Sequence, residues 1–386
     1  MIHKFVIASD KFKGSLTSAE VAEALARGIR RVAPEAQVVE LAVADGGEGT
    51  AATLVNALKG EWVDCSVHDP LGRVITARYG VVDLPEGRTA LIDMASASGL
   101  PLLKPEERDV LHTTTRGTGD MMLDAWRRGC RRMLVGIGGS ATCDGGAGML
   151  TALGYRLLDA EGKELPPGGE ALSRLARIDA SGVDEGLRHM ALTVICDVSN
   201  PLCGPDGSAA VFGPQKGASP EDVKVLDAAL RHYADMAAEV AGRDVSGEPG
   251  AGAAGGLGEA FLAFFPESEL RPGVDAVLDI TGFDREVKDA DLVITGEGRI
   301  DGQTLFGKLP LGVCRRAAAF GVPTVVVAGI VEDTVALIEG GFAGVFPIQS
   351  RPCTLQEAID PQNASANLLQ LGASIANFHN VIIRRQ

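Results

Sequence analysis

Four segments of the chain put small residues and an aspartate directly behind a strand-like run. They are Asp45-Gly46-Gly47-Glu48-Gly49-Thr50, the stretch 138–146 (Gly-Gly-Ser-Ala-Thr-Cys-Asp-Gly-Gly), Asp197-Val198-Ser199-Asn200-Pro201 and Thr295-Gly296-Glu297-Gly298-Arg299-Ile300-Asp301. Successive backbone amides in such turns form nests for phosphate oxygens, and an aspartate beside them can hold Mg2+ or take a proton from a hydroxyl. The combination points to phosphoryl transfer. A tight βα turn needs glycine for its own sake, so no single segment decides the matter. Four in one chain favour a ligand, because open parallel sheets bind ligands at the ends of their strands. Cations set among small residues add to this: Lys11 and Lys13 in 9–15, Arg116 in 113–119, and Lys216 in 212–217. Against a net charge of −15, from 36 basic and 51 acidic residues, they read as local anion pockets.

Two partial motifs compete with this reading. Gly136-Ile137-Gly138-Gly139-Ser140-Ala141 fits G-x-G-x-x-A, with Asp159 following after Tyr155-Arg156-Leu157-Leu158 as a dinucleotide fingerprint requires. In that fold a helix starts inside the motif, which would set Gly145 and Gly146 in its second turn at about 1 kcal/mol each. NAD binding is therefore disfavoured. The stretch 302–309 has the G-x-x-x-x-G-K spacing of a P-loop but carries Leu309 where the magnesium-binding Ser/Thr belongs. Lys308, near the start of a helix expected at 310, can still meet a phosphate. No H-E-x-x-H, G-x-S-x-G, H-R-D or D-F-G occurs, and the histidines at 3, 68, 112, 189, 232 and 379 show no ligand spacing. Any phosphotransfer then acts on a small molecule.

The elements that must position these loops follow from periodicity. An apolar run at 5–8, a capping box at Thr17-Ser18-Ala19-Glu20, helical spacing of Val21, Leu25, Ile29 and Val32, a stop at Pro34 and a strand at 38–43 make a βαβ unit. The same rhythm returns at the other end, with strands at 292–294, 324–328 and 344–346 and helices at about 310–320, 331–340, 354–360 and 363–378. Both ends are thus expected to build one parallel-sheet, Rossmann/flavodoxin-like α/β domain from residues 1–65 and 286–386. A second α/β domain, 66–285, is inserted in it. Within the insertion, 73–82 and 90–93 read as strands, Asp69-Pro70-Leu71-Gly72 as the turn at the crossover, and 247–258 as a glycine-rich loop. Ser219-Pro220-Glu221-Asp222 opens a long helix that buries Val223, Leu226, Leu230, Tyr233, Ala237 and Val240.

Composition bounds the rest. With 386 residues, 46% hydrophobic and 23% charged, the chain is a globular protein of two domains or three. The longest apolar run, at 324–331, is far short of the ~20 residues that cross a bilayer. The dispersed negative charge argues against nucleic acid or an anionic membrane as partner. The opening leaves no room for a signal peptide, which implies a cytoplasmic location. Seven scattered cysteines with no C-x-x-C indicate neither a disulfide framework nor a cysteine zinc site.

Taken in order, S-D-K-F-K-G-S (9–15), V-A-D-G-G-E-G-T (43–50), T-T-R-G-T-G (114–119), G-I-G-G-S-A-T-C-D-G-G-A-G-M (136–149), C-D-V-S-N-P-L (196–202), F-G-P-Q-K-G-A (212–218), P-G-A-G-A-A-G-G (249–256) and I-T-G-E-G-R-I-D (294–301) resemble the bacterial glycerate kinase family, of the type that forms 2-phosphoglycerate. Lys11 stands where that family usually has serine and Cys143 where it usually has asparagine. The resemblance implies ATP-dependent phosphorylation of D-glycerate with Mg2+, in a cleft between two α/β domains. For that reaction, chemistry assigns Lys13 and Arg299 to the glycerate carboxylate, with Lys11, Asp45, Gly46 and Gly47 beside them. Gly138, Gly139, Ser140, Asp144, Gly145, Lys216 and Lys308 fall to the nucleotide phosphates. Asp197 holds Mg2+ or receives the C2 hydroxyl proton, Asp301 is a second metal candidate, and Asp45 and Asp144 compete with them. The other readings are a sugar-acid sensor without turnover and an NAD-dependent hydroxyacid dehydrogenase. Oligomeric state is not legible, and a homodimer stays open.

Overall fold

The structure is a computed structural model that describes residues 3–44, 46, 49–306 and 308–383. Its contacts divide the chain into two compact units, residues 1–45, 56–58 and 274–386, and residues 46–55 and 59–273. The strands are β1 (Lys4–Ser9), β2 (Gln37–Ala42), β3 (Glu61–His68), β4 (Val74–Leu84), β5 (Gly87–Asp93), β6 (Arg132–Gly136), β7 (Arg156–Leu158), β8 (Arg177–Asp179), β9 (Ala191–Ile195), β10 (Ser268–Arg271), β11 (Leu292–Ile300), β12 (Thr324–Val331) and β13 (Gly344–Pro347).

In the first unit, strands from both ends of the chain form one sheet, ordered β13-β12-β11-β1-β2, with every pair parallel. β1 is buried along its whole length, which is why it reads as an unbroken apolar run rather than an alternating one. The crossover helix Ser18–Val32 starts at the expected capping box: Thr17 Oγ1 accepts from the Glu20 N–H, and the Glu20 carboxylate accepts from the Thr17 N–H. Its apolar face packs with Phe5, Ile7, Ile294, Val327 and Leu368 into one core. The terminal helix Pro361–Ile383 lies close against it. A Cβ on Gly28 would strike the Leu369 carbonyl, and one on Gly372 would strike the Leu25 carbonyl, so the two backbones approach through paired glycines.

The second unit holds a six-stranded mixed sheet, ordered β10-β9-β6-β5-β4-β3. β5, β6, β9 and β10 run parallel, and β4 and β3 continue as antiparallel neighbours. Because β3 already belongs to this sheet, Asp69-Pro70-Leu71-Gly72 is the hairpin turn between β3 and β4 and not a crossover between domains. Asp69 Oδ1 accepts from the Leu71 and Arg73 N–H groups there. The helix Pro220–Ala241 is closed by Gly242 in the left-handed region; it buries Leu226, Leu230, Tyr233 and Ala237, while Val223 and Val240 are only half-buried. The segment expected as a loop to residue 258 becomes the helix Ala253–Phe264, with left-handed backbone at Ala254, Gly255 and Gly256 before the regular turns begin. β7 and β8 form a separate short pair. Among the described residues, no helix is long and apolar enough to cross a membrane.

Candidate active site

The parallel half of the second sheet delivers the loops after β6 and β9 to one place. After Gly136 the chain makes no helix until Ala147–Ala152, so the helix that a dinucleotide fingerprint needs inside residues 136–141 is not formed. Instead the loop is fastened sideways: the Leu100 N–H donates to the Gly139 carbonyl and the Ala141 N–H to the Ser98 carbonyl, both at 2.9 Å. Gly139 takes φ +74°, a conformation glycine adopts without strain, and Gly138 and Gly139 are both exposed. These two glycines line a cavity of about 290 Å³ together with Ser140, Asp197, Gln215 and Lys216.

Lys216 is the unusual member. Only 2% exposed, it donates from Nζ to Ser140 Oγ and to the Thr142 carbonyl, each at 2.7 Å. Among the described residues no carboxylate forms an ion pair with it. Burial pulls its ammonium down to about 8, and nearby Cys143 and Asp144 only partly offset this. A buried cation bonded to neutral acceptors alone is incompletely compensated, and an anion entering the cavity would complete it.

Asp197 sits exposed at the end of β9 on the same cavity, with Oδ1 accepting from the Gly273 N–H at 2.9 Å. Gly46 also lines the cavity, at φ +91°, where a Cβ would collide with the Gly273 backbone. Asp45 and Gly47 lie outside the described residues.

Asp144 and Gly145 behave differently from their neighbours in the loop. Asp144 is fully buried and accepts from the Thr115 N–H (2.8 Å), Thr115 Oγ1 (2.9 Å), the Gly148 N–H (3.1 Å) and the Gly146 N–H (3.2 Å). Burial raises its pKa, and those four bonds oppose the rise. Its oxygens are spent on holding the loop, and it does not line the cavity. Gly145, at φ +61°, would place a Cβ 2.9 Å from the Tyr233 ring, so its role is to let the loop pass over that ring.

A second group gathers within the first unit, where β1 and β11 are neighbours. The Asp10 N–H donates to the Gly296 carbonyl, and Lys11 and Lys13 follow, both exposed, with no ion pair at either side chain among the described residues. Arg299 is engaged: its Nη2 donates to both Glu332 oxygens at 3.0 Å, and Nε lies 3.6 Å from Asp301. Lys308 is the N-cap of the helix Leu309–Ala318 and stands 3.8 Å from Glu297. Glu297 was not among the residues singled out from sequence. It is shielded, accepts from Thr304 Oγ1 at 2.8 Å, and has its pKa raised by burial first and by Asp10 and Asp301 after that. An acid flanked by glycines at the end of a strand was the signal for it. Gln215 was also missed, since an amide carries no sequence signal of its own.

The sequence model described as "Glycerate kinase family" matches residues 5–380. The chain is similar to a glycerate kinase of Bacillus subtilis (strain 168), 49% identical over 358 residues that make 92% of this chain and 93% of the relative. It is similar to a glycerate kinase of Haemophilus influenzae, 46% identical with 97% and 98% covered, and to a glycerate 2-kinase of Escherichia coli K12, 44% identical with 97% of each chain covered. A crystal structure of a Salmonella typhimurium LT2 protein, 44% identical, superposes over 100% of both chains with a TM-score of 0.88.

Proposed function

The chain belongs to the glycerate kinase family, and on that premise we propose that it moves the γ-phosphoryl group of ATP onto the 2-hydroxyl of D-glycerate, releasing ADP and 2-phosphoglycerate. A glycerate kinase is a small-molecule kinase, and ATP use follows from the family. The observation that carries the nucleotide half is Lys216, a buried ammonium hydrogen-bonded only to neutral oxygens in a cavity floored by the bare amides of Gly138 and Gly139. A polyphosphate supplies the missing negative charge, and the amide nest and ammonium together hold the charge that shifts as the bond to the β-phosphate breaks.

Asp197 offers an exposed carboxylate on the same cavity, the hard oxygen donor that Mg2+ takes alongside phosphate oxygens. Mg2+ bound there would neutralise charge on the leaving phosphates. The competing role for Asp197 is to accept the C2 hydroxyl proton. Lys13, with Lys11, is the proposed grip on the glycerate carboxylate, since no acid among the described residues pairs with either. Arg299 is already ion-paired with Glu332 and Asp301, which shifts weight to the lysines. Asp301 stays the second metal candidate and Lys308 a second phosphate contact. A cytoplasmic enzyme would find ATP at hand and its seven free thiols reduced.

A coupled ADP-release assay with D-glycerate, followed by phosphorus NMR of the product, tests this. ADP formed only with D-glycerate, and a product phosphorylated at C2, is the expected result. Glycerate binding without ADP release would favour the sensor, and a product phosphorylated at C3 would overturn the regiochemistry. Asp197→Asn should lower kcat while leaving the melting curve in place, because the amide oxygen can still accept from the Gly273 N–H.

A further inference from the structure

Three groups that phosphoryl transfer leaves unused meet at the N-terminal edge of the first unit's sheet. His3 directly precedes β1, Asp291 directly precedes β11, and His379 lies near the end of the helix Pro361–Ile383. β1 and β11 pair with Phe5 opposite Leu292, which sets residues 4 and 291 side by side. The Asp291 N–H donates to the Lys4 carbonyl at 2.8 Å, and the Lys4 N–H donates to Asp291 Oδ2 at 2.7 Å, so backbone bonds aim the carboxylate. The His379 ring packs edge-on against His3 and against Phe5, with centroids 5.3 Å apart in each case.

His3 Nδ1 lies 3.7 Å from Asp291 Oδ2, and one donor atom from each of the three residues falls within 4.8 Å of the other two. His3 Nδ1 and His379 Nε2 are both shielded from solvent, and neither makes a hydrogen bond with any described residue. Imidazole nitrogens in that condition have lost water without gaining a partner. Nothing in the sequence could announce the cluster, because two of its members stand at opposite ends of the chain.

We propose that His3, Asp291 and His379 bind a divalent cation of the zinc class. Two imidazoles and one carboxylate suit Zn2+, Co2+ or Ni2+, whereas Mg2+ takes oxygen ligands almost alone. Bonds of about 2.0–2.2 Å to each donor require the three side chains to draw together by less than about 1 Å. The side chains of His3 and Asp291 are 16% and 30% exposed, which leaves room for water to complete the coordination. The nearby Lys4 ammonium is already held by Asp289 at 2.6 Å and Glu286 at 3.5 Å, so it does not oppose a cation. The site is at the end of the sheet opposite the strand C-termini, so its metal would fasten the first strand to the last helix and take no part in turnover.

The test is titration of the untagged, EDTA-treated full-length protein with ZnCl2 by calorimetry, without nucleotide, alongside melting curves and the visible spectrum of the Co2+ form. One high-affinity zinc per chain, a raised melting temperature with Zn2+, and loss of both in the His3→Gln/His379→Gln double variant are expected. Asp291→Asn should weaken binding at least about tenfold, since losing even a partner that only orients a ligand costs about that much. Glycerate kinase turnover should be unchanged in the His379→Gln single variant, which shows that it is folded. Absence of zinc binding to the wild type, or equal binding by wild type and a folded His379→Gln variant, overturns the proposal.

Discussion

Replacing Lys216 by methionine should separate activity from stability. Methionine keeps most of the buried stem and removes the ammonium. In the folded protein the ammonium is pulled from an ordinary 10.5 to about 8, which is about 3 kcal/mol of unfavourable burial at neutral pH. Against this, the buried Ser140 Oγ and Thr142 carbonyl lose their donor, at about 1–3 kcal/mol each. The two contributions nearly cancel, so the variant's stability in urea should stay within about 2 kcal/mol of wild type. If Lys216 holds phosphate, kcat should fall about 100- to 1,000-fold, the scale of losing one buried donor to a developing charge. Initial rates at saturating D-glycerate and urea melts of the same preparations measure both. Turnover within about threefold of wild type would refute the phosphate role; a loss of stability as large as the loss of rate would make Lys216 a packing residue. The pH dependence has a definite sign. Between about 8 and 10.5 the unfolded chain holds a proton that the native lysine has given up, so this group makes stability rise with pH, while kcat/KM for ATP should fall above about 8.

Asp144→Ala should cost about 3–5 kcal/mol, read by urea unfolding, because it strands three buried donors and the part-buried Gly148 N–H and leaves the loop unsupported. Gly145→Ala should be destabilised by about 1–3 kcal/mol from the positive φ and the approach to Tyr233, with loss of nucleotide affinity following the shift of the loop. Glu259 is 1% exposed and its carboxyl is raised to about 8 by burial, so the native state holds a proton that the unfolded chain releases between about 4.5 and 8. That group makes stability fall as pH rises across this window, and Glu259→Gln should flatten the fall by a few kcal/mol at most, measured by melts at pH 5 and pH 8.5.

The split first sheet was legible because its signals are local: a buried parallel strand is an unbroken apolar run, and Thr17 with Glu20 makes a capping box within four residues. The loops after β6 and β9 were legible as glycine-rich turns at strand ends for the same reason. What sequence could not supply depends on distant partners. Asp144 looked like a ligand because Thr115, which claims it, is far away along the chain. The segment 253–256 looked like plain loop, yet its left-handed turn sits where Gly255 abuts the Thr142 carbonyl and Gly256 abuts Gly145, two backbone segments in close contact. The burial of Lys216 was equally hidden, since a lysine after Pro-Gln gives no sign of which way it points. Arg299 read as a free cation because Glu332, its partner, belongs to the following strand's turn.

A crystal structure with a non-hydrolysable ATP analogue and Mg2+ locates the nucleotide. The polyphosphate is expected in the cavity of the second unit, against the amides of Gly138 and Gly139 and within hydrogen-bond reach of Lys216 Nζ. A polyphosphate seated instead at Lys308 and the start of the helix Leu309–Ala318, with that cavity filled only by water, would contradict it.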